Sequence, residues 1–172
     1  DEWFLKDRGL WTDVAMEWQF FQWLGKLGFK ATTGAWVIRS FHDSSADNST
    51  DKLQYTLLTL PLFGGMIYRL QLWKKQPLIP FVEGAYGGFR IQQVQGFPND
   101  KYTVFRPAYL WGVGVQFNAN LLDPQSGRDF DINWGVNRTH FVAQFRTIES
   151  VGNDKFNFSG QNIITGGLLF EF

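Results

Sequence analysis

Residues 64–72 read Gly-Gly-Met-Ile-Tyr-Arg-Leu-Gln-Leu, and this stretch decides the fold class. The even-numbered residues from Met66 to Leu72 are uncharged, whereas Arg69 and Gln71 between them are polar. Successive side chains of an extended chain point to opposite faces, so a period of two separates the uncharged set from the polar set. The stretch therefore predicts a β-strand with two chemically different faces.

The same period recurs along the chain and predicts an all-β protein with seven long strands. The predicted strands cover residues 13–24, 28–41, 53–71, 78–93, 103–118, 136–149 and 158–172. Most are longer than the ~5–6 residues of ordinary strands. Strands of ~9–11 residues or more, tilted at about 45°, are what a bilayer requires. We therefore expect an antiparallel transmembrane β-barrel.

The connections between the predicted strands alternate in length. Residues 25–28 and 74–77 form short turns, whereas residues 42–52, 94–102 and 150–157 form longer polar loops. Short turns at one end and longer loops at the other are typical of outer-membrane barrels.

The composition limits the classes of protein that the chain can form. A length of 172 residues fits one domain, spanning residues 1–172. The formal net charge is zero, which argues against a nucleic-acid partner because such binding relies on an excess of cationic side chains. The chain has no cysteine, so disulfides, thiolate metal sites and cysteine nucleophiles are excluded. No glycine loop suited to phosphate is recognisable, and we expect no cofactor and no metal.

One face of the predicted strands is free of charge, as the lipid-facing band of a barrel must be. This face includes Val14, Met16, Trp18, Leu60, Leu62, Val82, Tyr86, Tyr109, Val113, Phe141 and Phe145. Aromatic residues make up 18% of the chain, which suits the aromatic girdles that flank such a band. A soluble sandwich or a lipocalin-like barrel, with this face turned inward, is the alternative interpretation.

The opposite face carries polar and charged residues that would fill the lumen. Its acids and bases nearly balance, and buried charges are tolerated when they are paired. The predicted lumenal network comprises Glu17, Lys30, Arg69, Glu83, His140, Gln144 and Arg146.

Several stretches resemble a family of small Gram-negative outer-membrane β-barrels found largely in myxobacteria. They are residues 60–70, residues 76–83, the Leu-Leu-Asp-Pro of 121–124, the Gly-Val-Asn-Arg-Thr-His-Phe of 135–141 and the Gly-Leu-Leu-Phe-Glu-Phe of 167–172. The resemblance runs from about residue 10 to the end of the chain. It implies a multi-pass protein of the cell outer membrane, and it carries no established activity.

The chain departs from the family pattern at two positions and keeps the family's ending. Arg138 stands where the family tends to have His, and His140 where it tends to have Tyr. Leu168, Phe170 and Phe172 match the C-terminal signature of proteins that the barrel-assembly machinery inserts. The expected partners are therefore outer-membrane lipid and lipopolysaccharide, that machinery during biogenesis, and other envelope proteins.

The number of predicted strands is odd, whereas bacterial single-chain barrels have an even number. Either residues 1–12 contain a strand or one lies upstream of the chain. Residues 1–12 alternate poorly and carry five charges, so we favour an upstream strand and eight strands in the complete protein.

Residues 119–135 form a long connection at the end where short turns are expected. The candidate plug or partner-docking segment comprises Leu121, Leu122, Asp123, Phe130 and Trp134. Mixed apolar and charged residues predict a short helical or irregular insertion whose apolar side packs under the barrel on the periplasmic side. A structureless linker is the alternative.

The sequence favours a non-enzymatic role, because it contains no clear catalytic constellation. We expect a structural or interaction barrel that serves as a subunit or anchor of an envelope assembly. The alternative is an outer-membrane enzyme that modifies lipid A or phospholipid through a histidine. Its candidate residues are His140, or His42 beside Asp43 and the serines that follow it.

Overall fold

The computed structural model describes residues 10–42, 53–73, 76–94, 102–151 and 161–172. Seven strands form one antiparallel sheet that is curled into a half-barrel, and this confirms the all-β prediction. The strands are β1 (Leu10–Gln22), β2 (Lys26–His42), β3 (Leu53–Arg69), β4 (Leu78–Val94), β5 (Tyr102–Asn118), β6 (Arg138–Ser150) and β7 (Gln161–Glu171). Each strand pairs with its neighbours in sequence, in the order β1 to β7.

Strand ends differ from the predicted ones because pairing with a neighbour continues beyond the alternating pattern. β1 begins at Leu10, where Leu10 pairs with Val37, rather than at residue 13. His42 was expected in a loop but is the last residue of β2, paired with Leu53. Of the predicted polar loops 42–52, 94–102 and 150–157, residues 43–52, 95–101 and 152–157 lie outside the described residues.

The two ends of the sheet differ in their connections. We call the end at which β1 stops and β2 starts the turn end, and the opposite end, where β1 starts, the loop end. At the turn end, Gly25 adopts a φ of 146° that other residues rarely adopt, and the Tyr68 hydroxyl donates a 2.7 Å hydrogen bond to the Leu24 carbonyl. These contacts explain why three residues suffice to join β1 and β2.

The concave side of the sheet holds an apolar cluster in its loop-end half. The cluster comprises Trp36, Phe63, Phe89, Ile91, Ala108, Leu110 and Ile148. Phe63 and Phe89 meet edge to face with ring centroids 5.3 Å apart, and Trp11 lies 5.7 Å from Trp36. Such aromatic pairs stabilise by about 0.5–1.5 kcal/mol beyond the burial of their area.

The convex side of the sheet exposes large uncharged side chains. Met16 is 79% exposed and Trp18 is 74% exposed on β1, and Leu62 is 62% exposed on β3. Along β4 and β6 the first outward-facing charges are Arg90 and Glu149, both at the loop end. The uncharged face thus lies outside, opposite to the arrangement of a soluble barrel.

Residues 119–134 form a 3₁₀ turn, Ala119–Leu121, followed by a helix α1, Pro124–Trp134. Asp123 caps the helix by accepting hydrogen bonds from the backbone N–H groups of Gln125 and Ser126, and Gly135 ends it in the left-handed conformation.

No residue of α1 is buried, which corrects the expectation that the apolar side of this segment packs under the sheet. Leu122 is 70% exposed and Trp134 is 75% exposed. Within the described ranges, no helix has the length and apolar character needed to cross a membrane.

Candidate functional site

Six charged side chains form a continuous row of ion pairs on the concave side of the sheet. In order of contact, this interior charge chain is Arg69, Glu17, Lys30, Glu83, Arg146 and Asp13. The Lys30 ammonium lies 3.7 Å from a Glu17 oxygen and 2.7 Å from a Glu83 oxygen. Arg146 donates from Nε to the other Glu83 oxygen at 2.6 Å and from Nη1 to Asp13. The guanidinium of Arg69 contacts Glu17.

Strand register places these side chains within reach of one another. Glu17 on β1 is the direct partner of Lys30 on β2. Glu83 on β4 and Arg146 on β6 are both partners of Gly112 on the intervening β5. A Cβ atom at Gly112 would lie 3.0 Å from Arg146 Cγ and 3.3 Å from Glu83 Oε1, so the glycine leaves the space in which the two side chains meet.

Four of the six residues of the interior charge chain, Lys30, Arg69, Glu83 and Arg146, are buried, and the chain is electrically balanced. Arg69 and Arg146 are each 1% exposed. Charges withdrawn from water destabilise a fold unless each has a partner. Cations and carboxylates alternate along the six residues, so their formal charges cancel and each charged group has an opposite neighbour.

A second polar cluster surrounds Glu171 at the turn end. Its carboxylate accepts hydrogen bonds from Gln19 at 3.4 Å, Lys26 at 3.3 Å and Arg138 at 3.5 Å, and it lies 3.8 Å from the His140 ring. Gln19 belongs to β1 and Glu171 to β7, so the two outermost strands touch through these side chains.

The structure brings five of the seven residues of the predicted lumenal network into the interior charge chain: Glu17, Lys30, Arg69, Glu83 and Arg146. His140 lies in the Glu171 cluster instead. Gln144 belongs to neither group, because its amide donates to the Thr165 hydroxyl at 2.9 Å.

Asp13 and Lys26 were not among the predicted network residues. A signal for Asp13 was present, since its spacing of four from Glu17 places both carboxylates on one face of a strand. The pairing of Asp13 with Arg146 has no signal in sequence, because 133 positions separate them.

The two histidines that the enzymatic alternative would use lie in different parts of the sheet. His140 is 0% exposed, so a lipid substrate cannot reach its ring in this structure. His42 ends β2, and Asp43 and the serines after it lie outside the described residues. In the part of the chain that the structure describes, no group of three or more metal-ligating side chains occurs.

The outermost strands β1 and β7 leave a groove between them at the turn end. Each pairs with one neighbour only among the described residues, β1 with β2 and β7 with β6. The groove has a volume of about 940 Å³ and is lined from one side by residues 15–19 of β1 and from the other by residues 169–172. We call it the seam.

Leu168, Phe170 and Phe172 lie on the exposed face beside the seam.

In comparisons with protein-family models, curated proteins and solved structures, no match to this chain was found.

Proposed function

We propose that this protein is an integral β-barrel of the Gram-negative outer membrane with a structural, non-enzymatic role, as a subunit or anchor of an envelope assembly. The observation that carries the proposal is the inverted distribution of side chains. Arg69, Glu83 and Arg146 are buried on the concave side, whereas the convex side exposes large uncharged residues. In water a convex face of this kind would promote aggregation, and in lipid it is solvated.

The height of the uncharged face supports the same proposal. On β4 the outward-facing residues from Leu78 to Gly88 are uncharged, and Arg90 is the next one. Ten residue steps of about 3.3 Å span about 33 Å along a strand. At a tilt of about 40° this corresponds to about 25 Å across a bilayer, which is the usual height of a lipid-facing band.

The filled concave side supports an anchor rather than a channel. The apolar cluster around Phe89 and the interior charge chain around Glu83 occupy the space that a pore would need. Barrels of about eight strands are just wide enough for their own side chains.

The proposed partners follow from the surfaces that the protein exposes. The convex face would contact outer-membrane lipid and lipopolysaccharide, and the barrel-assembly machinery would recognise residues 168–172, which end one residue after β7. α1 exposes Ile132 and Trp134 at the turn end, which suits contact with another envelope protein.

The proposal is tested by placing a charge on the convex face. Val113 is 47% exposed and pairs with Val82 in the middle of the uncharged face. We expect Val113→Arg to lower the free energy of unfolding in lipid vesicles by ~2–4 kcal/mol, as for a midplane lipid-facing position. Urea titration followed by tryptophan fluorescence measures this change.

The matched control is Thr103→Arg, which lies on the same face of the same strand at the loop end. Near the interface an arginine costs only ~0–1 kcal/mol. Equal, small effects of the two substitutions, or a wild-type protein that stays in solution without detergent, would contradict membrane burial.

A further inference from the structure

The walls of the seam differ in chemistry. Its inner wall carries cationic and anionic side chains, whereas its outer rim is formed by the uncharged residues Met16, Trp18 and Phe170. Its volume of about 940 Å³ lies within the range of roughly 300–1,000 Å³ that is usual for sites of small organic ligands. A ligand complementary to both walls is an amphiphile, with a polar head and an apolar tail.

The charged side chains that line the seam include one cation more than carboxylates. Arg69 and Glu17 belong to the interior charge chain, whose charges cancel. Lys26 and Arg138 share one carboxylate, that of Glu171, at 3.3 Å and 3.5 Å. The lining therefore has an excess of one positive charge, which a ligand with one negative charge would balance.

Two of these cations lie directly opposite each other. Lys26 and Arg69 are partners across β2 and β3, and like charges at such positions destabilise a strand pair. Arg69 is 1% exposed, and among the described residues its Nε atom has no hydrogen-bond partner. A buried donor without an acceptor also costs stability. An anionic oxygen bound here would accept this hydrogen bond and weaken the repulsion between the two cations.

The arrangement of the two walls sets the direction of the ligand. Lys26 starts β2 and Arg138 starts β6, so both lie at the turn end, whereas Met16 lies further towards the loop end. The head of the ligand would thus lie at the turn end and its tail along the outer rim. Arginine matches the oxygens of a phosphate closely, and a phosphodiester carries the single negative charge that the lining requires.

We propose that the seam binds one phospholipid with an anionic phosphodiester head group. The phosphate contacts Lys26, Arg69 and Arg138, and an acyl chain lies against Met16 and Phe170. This inference rests on the proposed function, since it places the protein in a bilayer that supplies the lipid, and it deepens it. The convex face contacts lipid of any head group, whereas this site selects the head group by its charge.

The proposal is tested by native mass spectrometry of the 172-residue chain in micelles of an uncharged detergent. The protein is incubated with equal amounts of phosphatidylglycerol and phosphatidylcholine that have identical acyl chains. We expect one retained phosphatidylglycerol per chain, in about tenfold excess over phosphatidylcholine, whose head group has no net charge. Arg138→Gln should reduce the retained phosphatidylglycerol by about tenfold, because a hydrogen bond between two charged groups is lost.

Two further variants serve as controls. Arg138→Lys keeps the charge and should keep the preference for phosphatidylglycerol, which shows that a loss in Arg138→Gln comes from the charge and not from misfolding. Arg128→Gln is the matched control, because Arg128 is exposed on α1 and does not line the seam. It should leave the retained lipid unchanged.

A competition experiment distinguishes a lipid site from a site for free phosphate. Glycerophosphoglycerol, which is the same head group without acyl chains, and inorganic phosphate are each added at the concentration of the lipid. We expect neither to displace phosphatidylglycerol, because the outer rim binds the tail. Displacement by either compound would mean a site for free phosphate and would overturn the lipid proposal.

Three other results would also overturn the proposal: no retained lipid, equal retention of the two lipids, or an unchanged preference in Arg138→Gln. The Val113→Arg measurement separates this inference from the proposed function, because it reports burial of the convex face whether or not the seam binds lipid. A large effect at Val113 without head-group selectivity would refute the lipid site and leave the membrane proposal standing.

Discussion

Glu83 lies at the middle of the interior charge chain, where its two oxygens accept hydrogen bonds from Lys30 and Arg146. Glu83→Gln keeps the volume of the side chain but removes the charge that both cations share. Leaving buried charges without a full partner costs about 3–5 kcal/mol. We expect the free energy of unfolding, measured by urea titration in detergent micelles, to fall by about that amount.

Glu149→Gln is the matched control, because Glu149 is exposed at the loop end. Surface substitutions of this kind usually change stability by no more than about 0.5 kcal/mol. If the two substitutions have the same small effect, the interior charge chain does not hold the sheet in its curled form.

At the level of single residues, the sequence predicts which face of the sheet a side chain lies on better than it predicts which residue that side chain contacts. Alternation alone places Arg69 and Glu83 on the polar face, and the structure buries both. The choice of partner depends on register and on the distance across the concave side. Glu83 reaches Arg146 because Gly112 separates them, a relation visible only once three strands are aligned.

Among the elements, α1 has an N-cap, Asp123, whose titration gives a pH prediction. The Ser126 side chain and the backbone N–H groups of Ser126 and Gln125 donate hydrogen bonds to the Asp123 carboxylate, which lowers its pKa below the ordinary value. A lowered pKa in the folded state means that the cap stabilises the helix above the unfolded pKa of about 3.9. This stabilisation is lost as the pH falls through the lower, folded value.

NMR titration of the Asp123 side-chain carbon checks this prediction, with the backbone shifts of α1 read in the same spectra. We expect the helix to loosen only when Asp123 takes up its proton. Ser126→Ala should move the Asp123 pKa towards the ordinary value, whereas Asp129→Asn, on the same helix, should not. An Asp123 that titrates normally would show that the cap does not form in solution.

The sequence predicts which elements form better than it predicts where each element begins and ends. The seven strands follow from alternation, and their ends shift by a few residues because pairing, not pattern, sets where a strand stops. The ends of α1 had signals in Asp123, Pro124 and Gly135, which are an N-cap, a first-turn proline and a C-terminal glycine. The exposure of α1 had no such signal, because it depends on where the helix lies relative to the sheet.

For the whole molecule, the proposed function fixes an orientation that can be measured. The turn end faces the periplasm in outer-membrane barrels, and the loop end faces outward. The chain has no cysteine, so single cysteines can be introduced without a background. We expect a membrane-impermeant maleimide, added to intact cells, to label Val151→Cys at the loop end and not Gln125→Cys on α1. Both positions are exposed.

Permeabilised cells provide the control, since both variants should then react. Labelling of Gln125→Cys in intact cells would mean the opposite orientation, and labelling of both would mean that the protein does not cross the membrane in this way.

The contacts along β1 also have a consequence for the order of folding. Every strand pair in the sheet joins neighbours in sequence, so hairpins close small loops at little entropic cost and form early. The contacts that hold the sheet in its curled form join residues far apart in sequence. Arg146 contacts Asp13 across 133 positions, and Glu171 contacts Gln19 across 152. Closing loops of that length is the slow step. The hairpins should therefore form first. The sheet should curl last, when the ion pairs of the interior charge chain form.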